Sequence, residues 1–583
     1  MAKRHQSLRY HTLSVHWFFK LRIMRKLSHT YLLILIGLIG FATACSNKEG
    51  IPPPVPVIKA PVFTDATVNG VSLDNILYNV NLQPVIKINF TEALKQTTVT
   101  GAVTLSDANG SSVAISTTLE NGDKSIVVQP LAPVNYLRKY FINVDITLRS
   151  VSDGQLQTGV SKSFITKIDS SRKFPPISDN ALLDLVQQQT FKYFWDFGHP
   201  VSGLARERNT SGDVVTSGGS GFGIMTIPVA INRNFIIRSQ GLARMQTIVA
   251  FLKNTAVKVK GAFPHWLNGN TGAIVPFSAN DNGADLVETS YLMMGLLTAR
   301  QYFNGTDVAE TTLRSDINTL YNNVEWNWFR QSGQNVLYWH YSTDKGWIMN
   351  HKIQGWNECL VTYVLAAAST THGIPAAVYT NGWAGNGSNG FINTSTYYGY
   401  NLPLGPDLGG PLFFSHYSFM GINPNGLSDA YANYATQTKN HTLINYNYCK
   451  ANPKGWFGYS DSCWGLTASD ILNGYTASSP TNDVGVIAPT AAISSLPYTP
   501  VESMKALKFF YYVLGDRIWQ QYGFVDAFSL KGLWYSDSFL AIDQGPEIVM
   551  IENYRTGLLW NLFTSCPEVK AGMLSLGFSA PYL

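Results

Sequence analysis

Asp281-Asn-Gly-Ala-Asp-Leu-Val-Glu-Thr-Ser-Tyr-Leu-Met-Met-Gly-Leu-Leu297 opens with three carboxyls and runs straight into an apolar stretch. On a helix beginning near Asp281, the residues Asp281, Asp285 and Glu288 fall at i, i+4 and i+7, on one face. The predicted helix, 284–303, is apolar nearly all round, and a helix without a polar face must be covered on every side. Three carboxyls therefore cluster at the mouth of a buried helix.

Two further stretches repeat the arrangement. Gly355-Trp-Asn-Glu-Cys-Leu-Val361 places Glu358 in the predicted helix 356–370. Ala541-Ile-Asp-Gln-Gly-Pro546 places Asp543 ahead of Ile548-Val-Met-Ile551 in the predicted helix 543–563. Between these buried helices lie more one-sided ones, over 239–258, 308–325, 426–446 and 501–519. The series starts where Ser178 or Asp179 can cap a helix carrying Leu182, Leu183, Val186, Thr190, Phe191, Phe194 and Trp195 at helical spacing. Buried helices alternating with amphipathic ones describe an all-α, double-layered α/α barrel over residues 178–583. In such a barrel the inner helices present their N-termini at one end, so all these carboxyls meet at one cleft. Long Gly/Asn/aromatic-rich loops (210–224, 261–283, 331–355, 449–490) are expected to build that cleft.

Upstream the pattern changes. Val85-Ile-Lys-Ile-Asn-Phe90, Ser125-Ile-Val-Val-Gln-Pro130 and Tyr140-Phe-Ile-Asn-Val-Asp-Ile146 alternate or are β-branched. Turn residues (Asp107-Ala-Asn-Gly110, Asn121-Gly122, Asp153-Gly154) separate them. Residues 61–168 thus read as a small all-β Ig-like sandwich, expected to be a spacer without chemistry. The linker Ser170-Ser-Arg-Lys-Phe-Pro-Pro176 follows it, and a Pro-rich tether over 46–60 precedes it.

Residues 1–45 read as a lipoprotein signal peptide. A basic start at Met24-Arg25-Lys26 leads into the apolar Tyr31–Phe41, too short to span a bilayer, and then into Ala42-Thr43-Ala44-Cys45. Small residues before a Cys at that point make Cys45 the expected lipidation site. The expected location is the cell envelope, lipid-anchored in the periplasm or at the outer membrane. The formal charge of +5 belongs to this leader. It holds seven Lys/Arg and no acid, leaving 35 basic against 37 acidic residues from position 46 onward, a balance of −2. No nucleic-acid partner is expected from that balance. Cys359, Cys449, Cys463 and Cys566 form no CxxC pair and the histidines are dispersed, so no metal and no cofactor is expected.

Aromatic residues make up 13 % of the chain and charged residues 14 %. Scarce carboxyls placed among abundant aromatics are the equipment of glycoside hydrolysis. One carboxylic acid protonates the leaving oxygen, another activates water or attacks the anomeric carbon, and sugar faces stack on Trp and Tyr. The catalytic candidates are Glu358, Asp285, Asp281 and Asp543. Helix capping is an equal reading for Asp281 and Asp543, and a weaker one for Glu358 and Glu288 inside buried helices. Glu288, Trp266, Trp339, His416, Tyr417, Trp464 and Arg206 are candidates for holding substrate, with Trp534 a further aromatic. Arg206 either lines the rim or braces it. Glu552 reads as the buried partner of Arg555.

Phe194-Trp-Asp-Phe-Gly-His-Pro200, Pro264-His-Trp-Leu-Asn-Gly269, Asp285-Leu-Val-Glu-Thr289, Gly355-Trp-Asn-Glu-Cys359, Pro411-Leu-Phe-Phe-Ser-His-Tyr417, Cys463-Trp-Gly-Leu-Thr-Ala-Ser-Asp470 and Ile542-Asp-Gln-Gly-Pro546 together resemble the glycoamylase-like family, which includes the bacterial β-1,2-glucanases of glycoside hydrolase family 144. The resemblance runs in order over roughly 180–578. It implies an (α/α)6 toroid and inverting hydrolysis of a glucan, with β-1,2-glucan the best-supported substrate. It points to Asp281, Asp285 and Glu358, with Asp543 facing them, and to a monomer. A non-catalytic glycan-binding lipoprotein and a glucosidase or glucoamylase of other linkage are the alternative readings. A lyase, the other sugar-active possibility, would need a Tyr or His base beside a neutralised uronate, and no basic cleft is evident.

Overall fold

The computed structural model describes residues 55–388 and 390–583. The leader, Cys45 and most of the tether lie outside the described residues.

The front of the chain folds into two five-stranded sheets. In chain order the strands are β1 (Phe63–Val68), β2 (Val71–Ser72), β3 (Leu77–Val80), β4 (Ile86–Phe90), β5 (Val103–Asp107), β6 (Ser112–Val113), β7 (Ile115–Glu120), β8 (Ser125–Pro130), β9 (Lys139–Val144) and β10 (Val160–Thr166), with a short helix α1 (Gln96–Ala102) before β5. One sheet has the order β2-β1-β4-β8-β7 and the other β3-β10-β9-β5-β6. Alternation decides the packing. Ile86, Ile88 and Phe90 face inward from β4, and Tyr140, Ile142 and Val144 from β9, so the two inner faces share one core. The sandwich packs against the helical part. Leu137 is buried in the core of the helical part, and Tyr78 stacks on Phe457 with ring centroids 5.3 Å apart.

The rest is helical: α2 (Asp179–Trp195), α3 (Ser217–Asn232), α4 (Arg238–Asn254), α5 (Leu286–Tyr302), α6 (Val308–Asn322), α7 (Leu360–Ala368), α8 (Tyr434–Ala451), α9 (Pro489–Ile493), α10 (Pro500–Tyr512), α11 (Gly515–Ile518), α12 (Ala541–Thr556), α13 (Leu558–Thr564) and α14 (Pro567–Ser575). Helices α3, α5, α7 and α12 are buried along almost their whole length. Helix α6 buries only five residues on one side, starting from an Asp307 cap that accepts the Glu310 N–H. The inner-and-outer contrast expected from hydrophobic periodicity is therefore present in the packing.

Three local expectations are corrected. The loop expected over 210–224 ends at Thr216, and from Ser217 the chain is already α3, whose Ser-Gly-Gly-Ser-Gly-Phe-Gly opening looks like a linker. Its glycines serve packing. A Cβ on Gly221 would lie 2.2 Å from the Tyr291 carbonyl oxygen of α5, and one on Gly295 would lie 2.2 Å from the Gly221 oxygen. The two helices touch backbone to backbone, which no other residue permits. Gly221→Ala is accordingly expected to destabilise the fold by about 1–3 kcal/mol through overpacking, measured by chemical denaturation, despite the better helix propensity of Ala. Second, the helix expected at 426–446 begins eight residues later, at Tyr434, because Asn433 caps it by accepting the Thr436 N–H. Third, Glu552 pairs with Arg233, at 2.7 and 2.9 Å, while Arg555 turns to Asp184 at 2.5 Å. Sequence proximity favoured Arg555. The fully buried Glu552 instead faces the end of α3, where Gln187, Asn232 and Thr556 also donate to it.

Candidate active site

The segment carrying Asp281 and Asp285 is extended, so the expected three-carboxyl helix face does not form. Ala284–Asp285 pairs with His340–Tyr341 in an antiparallel ladder, and α5 starts only at Leu286. Asp285 is the N-cap of α5. Its Oδ1 accepts the Glu288 N–H at 2.9 Å, and its Oδ2 lies 3.2 Å from His265 Nδ1. The capping role weighed for Asp281 thus belongs to Asp285. Asp281 reaches the same place from the preceding loop, with Oδ2 at 3.6 Å from His340 Nε2, and Asp285 Oδ2 is 3.7 Å from that nitrogen. Glu288, one turn into α5, accepts the Gly218 N–H at 2.8 Å and so ties α5 to the N-terminus of α3. A Cβ on Gly218 would sit 2.4 Å from Glu288 Oε2, so a larger residue there would have to displace that carboxyl.

Electrostatics sort these groups. Burial opposes charge on Asp285, but hydrogen bonding from His265 and the nearby His340 outweigh it and hold the carboxyl below its usual range. Burial likewise opposes charge on His265, yet Glu288, Asp285 and Asp281 together lift it to about 9. Asp281 is pushed up to about 7 by burial and then by the Asp285 charge. The result is an ionised Asp285–His265 pair beside an Asp281 poised to carry a proton.

Glu358 stands in the turn just ahead of α7, and not inside the helix as expected. The Asn357 side chain accepts the Cys359 N–H at 2.9 Å, which shapes that turn and delays the helix to Leu360. The Glu358 carbonyl accepts from the Ser418 hydroxyl and from Tyr291 OH, fixing its backbone to two neighbours. Its carboxyl is raised to about 7, first by burial and then by the charges of Glu288 and Asp285. Tyr417 brings its hydroxyl within electrostatic reach of Asp543, Glu358 and Glu288, so the carboxyls of α12, α5 and the turn ahead of α7 share one space.

Asp543, in the first turn of α12, belongs to a second acidic group. Its side chain hydrogen-bonds that of Asp526, and burial followed by the Asp526 charge holds it well above the usual carboxylate range. Asp526 accepts the Asp470 N–H at 2.6 Å and is raised to about 7 by burial and by Asp470. Asp470 in turn receives both its bonds from Arg208 at 3.2 Å and one from Ser538 at 2.6 Å. Asp543 Oδ2, Asp526 Oδ1 and Glu547 Oε2 have no donor among the described residues. Buried carboxyls crowded in this way share protons.

Several residues expected to hold substrate are elsewhere. Trp464 is fully buried and spends its indole N–H on the Glu502 carbonyl, so it is core. His416 is buried against Tyr498, bonded to Ser495 Oγ at 2.9 Å, and depressed to about 3 by burial, so it is a neutral structural imidazole. Arg206 lays its guanidinium 4.5 Å over the Phe197 ring and braces the rim, while Arg208, two residues on, reaches the acids. Trp339 supports the site from behind by stacking on His340, with centroids 5.5 Å apart. Trp266 is half-buried and packs on the exposed Phe277, which itself stacks on His265 at 4.3 Å.

Sequence reasoning missed His265, His340, Arg208, Asp470, Asp526, Glu547, Tyr475 and Phe277. His265 and Asp470 sat inside quoted motifs and were passed over. Tyr475, on a hairpin of Ala468–Ile471 with Gly474–Ala477, brings its hydroxyl to Asp543, Asp526 and Asp470.

Comparison with known proteins bears on this geometry. Residues 350–567 match the glycoamylase family model, described as "Putative glucoamylase", and residues 64–166 match a bacterial Ig-like domain. The chain is 46 % identical, over 419 residues, to an exo β-1,2-glucooligosaccharide sophorohydrolase (non-reducing end) of Parabacteroides distasonis. The match covers 68 % of the chain and spans 58 % of that relative's length. Among solved structures it is similar to an endo-β-1,2-glucanase of Chitinophaga pinensis in complex with sophorotriose and glucose. That similarity has 50 % identity and a TM-score of 0.68, covering 70 % of this chain and all of the other. A β-1,2-glucanase of P. distasonis matches with 38 % identity and a TM-score of 0.67 over 90 % of this chain and 74 % of the other. With one relative half-identical along its entire length, the chain belongs to the glycoamylase family.

Proposed function

We propose that the protein is an inverting glycoside hydrolase that cleaves β-1,2-glucan. The observation that carries the reading is the pairing of unlike carboxyls around one space. Glu358 is held protonated near neutrality, and the Asp543–Asp526 pair, on other elements, shares a proton across from it. Glu358 serves as the general acid toward the glycosidic oxygen. The anionic member of the Asp543–Asp526 pair takes the proton of the attacking water. Asp285 is a positioning residue, since both its oxygens are engaged, and it orients His265. Asp281 and Glu288 complete the inner wall. Trp266, Phe277 and Tyr475 offer faces for sugar rings.

The linkage rests on the relatives, which are named for β-1,2-glucan and its oligosaccharides. The helical part is proposed to be an (α/α)6 toroid, supported by the buried set α3, α5, α7 and α12 among more exposed helices. Incubation with a panel of β-1,2-, β-1,3-, β-1,4- and α-1,4-glucans, with products resolved by size, tests the substrate. Release of glucose from α-1,4 chains with β-1,2-glucan untouched would overturn it. NMR of the first-formed product should show the anomer opposite to that of the substrate, and retained configuration would exclude water activation.

The envelope location is proposed on the leader alone. In a Gram-negative host, Cys45→Ser is expected to move the protein from the membrane fraction to the soluble one. Unchanged partitioning would remove the lipid anchor from the account.

A further inference from the structure

The inner wall of the cleft gathers nitrogen and oxygen donors in a way its hydrolytic role does not require. His265, Asp281 and Asp285 each offer a ligand atom, and these atoms all lie within 4.8 Å of one another. His340 stands beside the two carboxylates, with Nε2 at 3.6 Å from Asp281 Oδ2 and 3.7 Å from Asp285 Oδ2. A tetrahedral ion with bonds of about 2.0–2.1 Å sets its ligands roughly 3.3–3.5 Å apart. The His265–Asp285 separation of 3.2 Å is close to that spacing, and the remaining donors of the group lie within 4.8 Å.

The supports of these donors also suit a metal. Asp285 Oδ1 is held by the Glu288 N–H, leaving Oδ2 directed at the imidazoles. The His265 ring is pinned on Phe277 and the His340 ring on Trp339. Asp285 and His340 face each other across the short ladder, so their separation is set by backbone pairing. The Asp281 side chain is only 4 % exposed, and no N–H or O–H among the described residues donates to its carboxylate within hydrogen-bonding distance. A buried carboxylate aimed at two histidines without a donor of its own lacks a partner, and a cation supplies one. His265 keeps a quarter of its side-chain surface exposed, which gives an ion a way in.

We infer that His265, Asp281 and Asp285 form a binding site for a divalent ion of the zinc class, and that filling it switches the cleft off. One imidazole and two carboxylates match zinc's N/O preference and leave its fourth position open to water, whereas calcium takes six to eight oxygens and magnesium an octahedron rich in water. Binding displaces the proton that His265 shares with Asp285 and releases it to solvent. The blocking effect rests on the hydrolase reading, since it removes Asp281 and Asp285 from the substrate's wall. The binding itself does not rest on that reading.

The test uses the EDTA-treated full chain, its His265→Ala and Asp281→Asn variants, and zinc chloride with magnesium and calcium chlorides as controls. Equilibrium dialysis and titration calorimetry read the binding, and hydrolysis of β-1,2-glucan reads its effect. One zinc should bind per chain and raise the melting temperature, with magnesium and calcium inert. Each variant should weaken this binding at least about 10-fold while keeping its helical circular dichroism. Zinc should inhibit hydrolysis and EDTA should restore it. Absence of stoichiometric zinc, or binding equally strong in both variants, overturns the site. Zinc bound at the site without inhibition overturns the switch. If no glucan is cleaved at all, the hydrolase reading falls and the dialysis result still decides the site.

Discussion

Glu358→Gln should lower turnover on β-1,2-glucan by about 100-fold or more while leaving KM nearly unchanged. The amide keeps the shape of the side chain, and the backbone of Glu358 is held independently by Ser418 and Tyr291, so the fold has no reason to shift. What disappears is a proton. With its pKa lifted to about 7, Glu358 is protonated below that value and can donate, and above it the donor is lost. The sign is therefore definite: kcat/KM should fall on the alkaline side of about pH 7, about tenfold per pH unit, and Glu358→Gln should erase that limb along with the activity. A variant with near wild-type turnover would make Glu358 structural and shift attention to Asp281, which is also lifted to about 7.

The largest effect on stability is expected at Arg233, far from the chemistry. Glu552 is fully buried, and Arg233 supplies its counter-charge through two hydrogen bonds of 2.7 and 2.9 Å. Arg233→Met keeps the aliphatic stem and removes the charge, leaving a buried carboxylate uncompensated. Breaking one side of such a pair costs about 3–5 kcal/mol. The lower end applies here, because Gln187, Asn232 and Thr556 continue to donate to Glu552. Adding Glu552→Leu to Arg233→Met should recover most of the loss, since a fully apolar replacement leaves no charge stranded. Urea denaturation of the single and double variants distinguishes this from a packing defect, in which the second substitution would only deepen the loss.

What could be read from the chain and what could not divide along one physical line. Hydrophobic runs such as Leu286–Leu297 and Ile548–Ile551 announce burial locally, and the alternation of Ile86 to Phe90 announces a half-buried strand. Acidic residues at the heads of those runs, Glu358 and Asp543, were legible for the same reason. Three kinds of feature were not. The glycines of α3 look like a flexible loop until the backbone of α5 is seen against them. The N-cap fell on Asp285 because a two-residue ladder with His340, remote in sequence, delays the helix. His265, His340 and Asp281 come from different segments, and nothing in the spacing of dispersed histidines predicts that they meet. Trp464 and His416 illustrate the converse: residue type suggested a sugar contact, but only packing reveals that each has its polar atom satisfied inside the core.

The backbone contact between Gly221 and Gly295 has a mechanical consequence. With no side chains between them, α3 and α5 cannot slide or spread, and α12 is seated on the same helix, where a Cβ on Gly219 would lie 2.6 Å from that of Ala541. Asp285, Glu288 and Asp543 therefore ride on one stiff block, to which the ladder also ties His340, whereas Asp281, Phe277 and Tyr475 are carried by loops and hairpins. The cleft works as a vice with one fixed jaw. Asp543 and the carboxyls of α5 sit on the jaw that does not move, and adjustment is left to the loops and hairpins that carry Phe277 and Tyr475.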